Sequence, residues 1–334
     1  MLDKAAEARI TALQTAELRP LILKLAVPSI VGVGVSAVYQ VLNAFFVGML
    51  GTHAMAAMAL TFPLAMLVTA IGQCFGAGAA SNIARSLGRN DHAGASICAT
   101  TAAIGGTATA AILAGILLLV ARPLLLFLGA TTNTLPFGLA YTSWLLVGYV
   151  ANAFNMVCGF VVRAEGNTRF SMKTQIVAFA LNALLDPLLI FWLKLGIAGA
   201  GLVTLFAQAA ALLMYLCYFL QRRGAVRLML PRRASMPART WAIVTIGTPS
   251  AISTVASTLT LLVMNKLAAP FGDNAVAGIG IAARLATVAS LPVSGLCIGA
   301  QSVLGFNLGA GNWARVHAAV VDSHHEVRGD RTAI

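Results

Sequence analysis

Charge is scarce in this sequence, and negative charge is scarcer still. Only 10% of the 334 residues are charged, ten of them acidic against twenty-two basic, while 59% are hydrophobic. A soluble domain carries about a quarter charged residues, so this chain lacks the polar surface needed to stand in water. Cysteines are few and odd in number: Cys74, Cys98, Cys158, Cys217 and Cys297 fall mostly inside apolar segments, without a CxxC pair. That pattern indicates neither a disulfide framework nor a metal site. Walker A, HExxH and a convincing Gly-x-Ser-x-Gly setting are all missing. An enzyme is therefore not expected, nor an ATP-driven pump unless a separate subunit supplies the nucleotide. A channel would normally show a filter motif or repeated charged rings, and neither is present.

What the chain does have is apolar length. Eight runs exceed the ~18 residues that mark a membrane-spanning helix. They fall at roughly 21–48, 54–82, 95–121, 133–162, 170–193, 197–221, 241–269 and 275–307. The fold class is thus an all-α polytopic membrane protein. The net charge of +12 is distributed singly and in pairs between these runs, with no basic stripe interleaved with aromatics, so nucleic acid is not an expected partner. With the N-terminus placed in the cytoplasm, one side holds Arg85, Arg89, Arg163, Arg169, Lys173 and the arginines of 222–239. The other side holds only Arg122, Lys194 and Lys266. Positive-inside topology accounts for this asymmetry. The first twenty residues, mixed in charge and amphipathic, read as a cytoplasmic segment rather than a cleavable signal peptide.

An internal repeat divides the chain. Pro28-Ser29 recurs as Pro249-Ser250, 221 residues later (249 − 28). In the same register Gly51 pairs with Gly272, Leu64-Ala65 with Leu285-Ala286, Gly78-Ala79 with Gly299-Ala300, and Leu87-Gly88 with Leu308-Gly309. Six spans separate one repeat start from the next, and an even number preserves the in/out sense, which predicts parallel repeats. The expected organisation is a cytoplasmic segment (1–20), a six-helix lobe (21–221), a basic linker (222–240), the first two helices of a second lobe (241–316) and a polar tail (317–334). Two complete lobes would need twelve spans, so the expectation is a C-terminally truncated chain whose last residues read as patternless. The uncovered faces of its last two spans predict oligomerisation or misassembly.

Ionisable residues inside a bilayer cost about 2.5–3.5 kcal/mol on insertion scales. Among the ten acids only Asp186 lies well within a span, in Asn182-Ala-Leu-Leu-Asp186-Pro187. Asn182 and Asp186 are four apart and share a helix face. Pro187 cannot donate to the carbonyl of Ala183, leaving that oxygen free. A carboxylate, an amide and a loosened carbonyl make a proton site or an oxygen-lined Na⁺ site, or else a buried packing network. Asn43, Asn155 and Thr204 are polar groups in other spans, each readable as interhelical glue. Arg284 is the one basic residue deep in a span; snorkelling, pairing across a lobe interface and facing a water-filled cavity all remain open. Pro28 and Pro249 occupy equivalent repeat positions and read as paired hinges.

Three stretches resemble the multidrug and toxic compound extrusion (MATE) family of cation-coupled antiporters. These are Tyr39 to Ala57 with Phe46-Val-Gly-Met-Leu-Gly51; then Arg163-Ala-Glu-Gly-Asn-Thr-Arg169, Asn182 to Phe191 and Gly196-Ile-Ala-Gly-Ala-Gly201; and Gln301 to Arg315 with Gly305-Phe-Asn-Leu-Gly-Ala-Gly-Asn312. The resemblance covers about residues 20 to 316. It implies two six-helix lobes around a cleft and exchange of H⁺ or Na⁺ for organic, often cationic, compounds by alternating access across a bacterial inner membrane. No cofactor beyond the coupling ion is implied. By resemblance Asn182 and Asp186 match the family's fifth-helix pair, Thr204 a sixth-helix partner, Asn155 a fourth-helix partner and Pro28 a bending proline. Where family members carry an acid on the first helix, this chain has Asn43. Two further readings stand beside antiport: a lipid or oligosaccharide flippase of related architecture, and a non-transporting fragment.

Overall fold

The computed structural model describes residues 4–229, 236–268, 271 and 273–328. Every regular element among them is helical: α1 (Lys4–Thr15), α2 (Leu18–Gly48), α3 (Thr52–Gly88), α4 (His92–Leu119), α5 (Ala121–Phe127), α6 (Leu135–Ala164), α7 (Thr168–Pro187), a π-helical turn (Leu188–Trp192), α8 (Gly196–Leu220), α9 (Met236–Ala268), α10 (Asp273–Gly309) and α11 (Trp313–Arg328). Eight of these helices among the described residues are long and apolar enough to cross a membrane. The protein is a multi-pass membrane protein.

With no water in the hydrocarbon to satisfy backbone groups, each span closes its own hydrogen bonds. Some buried hydroxyls bond back one turn: Ser29 Oγ donates to the Leu25 carbonyl at 3.1 Å and Thr61 Oγ1 to Ala57 at 3.1 Å. Two helix starts, those of α4 and α7, are fixed by side-chain caps. Asp91 accepts from the Gly94 amide at 2.7 Å, and Asn167 accepts from Phe170 at 3.3 Å. Both are short side chains suited to an N-cap.

α6 lies at the centre, packed against α3, α8 and α4, while α2 pairs with α7. Two of the three apolar clusters, one around Val47, Ala57, Tyr141 and Ile190 and one around Leu64, Val68, Ala110 and Leu146, draw only on residues before α9. The largest cluster gathers the other end of the bundle: Leu13, Ile22, Ile83 and Tyr218 pack there with Ile243, Phe306 and Ala319. Among the described residues, helices α9 to α11 therefore join the core at the end carrying α1 and the segment 221–229, here the linker end. Toward the far end Ile252, Leu259, Val263 and Leu267 of α9 are all more than half exposed.

Contacts at the linker end obey the 221-residue register. A β-carbon at Gly78 (α3) would overlap the Ile243 carbonyl of α9. One at Gly299 (α10) would stand 2.9 Å from the Ile22 carbonyl of α2. Residues 78 and 299 are equivalent in the repeat, and so are 22 and 243. Polar ties add to this closure: Ser302 Oγ donates to the Arg163 carbonyl at 2.9 Å, Asn307 Nδ2 to Leu13 at 3.2 Å, and Arg315 Nη2 to Ala16 at 2.6 Å.

The stretch from 317, read above as patternless, continues α11 to Arg328, with Ala319 buried. α1 and the short α5 lie outside the eight spans read from sequence. α2 and α9 run unbroken through Pro28 and Pro249.

Candidate coupling site

Asp186 closes α7. Because Pro187 has no N–H, the ladder cannot continue through it, and the chain widens into the π-helical turn Leu188–Trp192, whose Leu193 amide returns to Leu188 at 2.9 Å. Insertions of this kind mark functional positions in many helices. The widening follows directly after a carboxyl that is wholly buried, 0% exposed.

Around it stand polar groups from four helices. Asn182, one turn earlier, donates to the Ala178 carbonyl at 3.2 Å and accepts from the Tyr39 hydroxyl at 3.1 Å. Tyr39 stacks on Phe179 at 5.3 Å and lies within hydrogen-bonding reach of Thr204. Asn43 lies one turn further along α2, within reach of Tyr141 on α6. Tyr39 and Tyr141 are electrostatic neighbours of Asp186. Among the described residues both Asp186 oxygens and the Asn43 Oδ1 are buried without a hydrogen-bond partner, and no cation there acts on the carboxyl. No group of three or more His, Cys, Asp or Glu gathers among those residues.

The predicted residues thus separate. Asn182, Asp186, Asn43 and Thr204 converge, bridged by Tyr39 and Tyr141. Those tyrosines escaped the sequence reading, although Tyr39 stands one turn from Asn43 on the same helix face. Asn155 belongs elsewhere: its Nδ2 donates to the Gln208 carbonyl at 2.8 Å and to its side-chain oxygen at 2.9 Å. Both line a cavity of about 320 Å³ that extends to Pro28, Arg163 and Tyr215 near the linker end. Arg163 there donates to Ser171 Oγ at 2.8 Å and lies 4.4 Å over the Phe160 ring. Thr204 and Gln208, one turn apart on α8, join the two regions. Pro249 is exposed on α9. The side chain of Arg284 lies outside the described residues.

Comparison with known proteins agrees with this architecture. The MatE family model matches residues 28–188 and 249–324, the second stretch reaching into α11. The chain belongs to the MatE family, a family of transporters and not of enzymes. It is 30% identical over 286 residues to the multidrug export protein MepA of Staphylococcus aureus, covering 84% of this chain and 62% of MepA. A Staphylococcus saprophyticus MepA is 28% identical over 282 residues, with the same coverage. The chain therefore spans less than two thirds of the length of these relatives. Among solved structures it is similar to an outward-facing multidrug resistance MATE transporter, with TM-score 0.87 and 26% identity over 97% of this chain and 71% of the other. A MOP superfamily transporter from Pyrococcus furiosus, described as having a binding pocket of reverse polarity, gives the same values.

Proposed function

We propose that this chain acts as a cation-coupled exporter of small organic, often cationic, compounds, with Asp186 as its coupling group. The observation that carries the reading is the buried Asp186 carboxyl with neither oxygen partnered. A carboxylate in such surroundings is expensive to hold ionised and unpaired. A proton or a monovalent cation supplies the missing positive partner, and its release leaves the site in need of one. The oxygens of Asp186 and Asn43 and the Ala183 carbonyl opposite Pro187 suit a hard cation; the lone acid equally suits a proton. In either case the four surrounding helices respond together, because Tyr39 ties α2 to α7 and approaches α8 while Asn43 reaches Tyr141 on α6.

In this reading α2–α8 form one lobe and α9–α10 open a second, with the N-terminus cytoplasmic as the positive-inside distribution indicates. Closure at the linker end with exposed faces at the far end then corresponds to an outward-open arrangement. Alternating access would break the Gly78–Ile243 and Gly299–Ile22 contacts.

The test is efflux of a cationic dye from cells lacking their own pumps, with this chain or its Asp186→Asn variant at equal membrane levels. Export by the parent and loss in the variant support the assignment. Unchanged export in the variant refutes it. Collapsing the H⁺ and Na⁺ gradients separately identifies the coupling ion.

A further inference from the structure

A second recess, of about 210 Å³, lies at the linker end, away from Asp186. Three elements converge on it: Arg9 from α1, Arg169 and Lys173 from the first turns of α7, and Arg223 from the segment after α8. Its floor is Phe170 against Tyr218, ring centroids 4.5 Å apart, with Asn167 Nδ2 donating to the Tyr218 hydroxyl at 3.2 Å. Arg9 is anchored by its Nη2 to the Arg223 carbonyl at 2.9 Å, and its buried Nε has no acceptor among the described residues. Four cations therefore share one hollow that, among the described residues, no carboxylate lines. The nearby acid Glu165, which feels Arg9, is buried and turned to the amides of Ala225 and Val226. Positive-inside charge alone explains basic residues on this side, but not four of them drawn around one hollow, where mutual repulsion must be offset.

The helix face above the recess changes character with depth. Arg169, Lys173, Val177, Ala180 and Leu184 recur at helical spacing along α7, and all are exposed. The first two are cationic and the remainder apolar, with Leu184 70% exposed. A phosphodiester headgroup with an acyl chain running along the helix matches this order, charge at the membrane surface and hydrocarbon within. Basic pockets between helix ends on one membrane face hold anionic headgroups by this means.

We propose that this recess is a binding site for an anionic phospholipid, its phosphate held by Arg9, Arg169, Lys173 and Arg223 and a chain laid on Val177 and Leu184. The site rests on the membrane-spanning character of the chain and not on its transport activity. The test uses the purified full chain in neutral detergent, titrated with dioctanoyl phosphatidylglycerol, dioctanoyl phosphatidylcholine or inorganic phosphate, and followed by thermal stabilisation and by lipid adducts in native mass spectrometry. The expected result is preferential binding of phosphatidylglycerol, weakened on the order of tenfold in Arg169→Gln/Lys173→Gln. Arg223→Gln should weaken it less, with melting in the absence of lipid unchanged in both. Lys24→Gln/Arg89→Gln, which removes two cations outside the recess, should bind as the parent does. Equal weakening by that control pair would reduce the effect to diffuse surface charge and overturn the proposal. So would phosphatidylcholine binding as tightly, and so would inorganic phosphate displacing the lipid, which would mark a free-phosphate site instead.

Discussion

Gly78 lies against the main chain of Ile243 with no room for a β-carbon, and the same relationship recurs 221 residues on between Gly299 and Ile22. Close helix approach of this kind is the use that membrane helices make of small residues. It places α3 on α9 and α10 on α2 by equivalent contacts. Cys74, one turn before Gly78, has its Sγ 3.8 Å from the Val244 carbonyl, so this approach is measurable. Gly78→Val should part the two helices and cost about 1–3 kcal/mol as overpacking. Oxidative cross-linking of Cys74 to a cysteine introduced at Val244, with the other four cysteines replaced, should fall sharply in the variant. An undiminished yield would mean that the contact is not made in the membrane.

Tyr39 is the bridge at the proposed coupling site, donating to Asn182 on α7 from α2. Tyr39→Phe removes the donor to Asn182 Oδ1 and leaves that oxygen buried without a partner, at a cost of about 1 kcal/mol. Stacking on Phe179 survives, so the fold should persist. Efflux should drop in Tyr39→Phe, but less than in Asp186→Asn, because the carboxyl itself remains. Thermal unfolding measured beside the efflux assay separates the two effects; equal loss in both variants would make the tyrosine indispensable to coupling and not merely supportive.

Glu165 lies just beyond the end of α6, outside the spans, and is buried. Burial pushes its carboxyl up from 4.5 to about 7, opposed by the amides of Ala225 and Val226 and by Arg9. A carboxyl raised in the folded state favours folding while it is protonated, so its contribution is full below about pH 4.5 and is lost as pH climbs toward 7. The melting temperature of the parent should therefore decline across that window relative to Glu165→Gln, which keeps an acceptor for Ala225 but carries no proton equilibrium. Parallel curves would show that this carboxyl does not titrate there.

Much of this architecture was legible in the residues. Apolar length located the eight spans, and the 221-residue register marked Gly78 and Gly299 as equivalent, though not the main chains of Ile243 and Ile22 that they meet. Asp186 stood out because a lone acid within a span has few structural excuses. The neighbours of that acid were harder to read. Tyr39 and Tyr141 are apolar enough to pass as packing, and only the rotation of α2 and α6 turns them toward Asp186. Asn155 and Thr204 have similar signals in sequence, yet helix packing sends Asn155 to Gln208 and Thr204 toward Tyr39. α11 went unread because its pattern is weakly apolar and its packing is against α10 and, far away in the chain, α2.

The segment after α8 offers the sharpest local test. Residues 226–229, in no regular element, run along α4, where the amide of Arg227 donates to Ser96 Oγ at 3.1 Å and that of Met229 to Thr100 Oγ1 at 2.9 Å. The spacings match: two residues of extended chain advance about 6.6 Å, and four residues of helix rise about 6.0 Å. Each hydroxyl also donates along its own helix, Ser96 to the His92 carbonyl and Thr100 to Ser96, so both are oriented to accept from the linker. Ser96→Ala with Thr100→Val removes both acceptors while preserving α4. At about 1 kcal/mol per lost hydrogen bond, the segment should open roughly ten- to thirtyfold more often. Tryptic cleavage after Arg227 should accelerate in proportion when opening is fast relative to cleavage, read by the mass of the fragment ending at that residue. If only cleavage at Arg222 and Arg223 changes, the linker is held by Glu165 alone; if neither changes, it does not lie along α4.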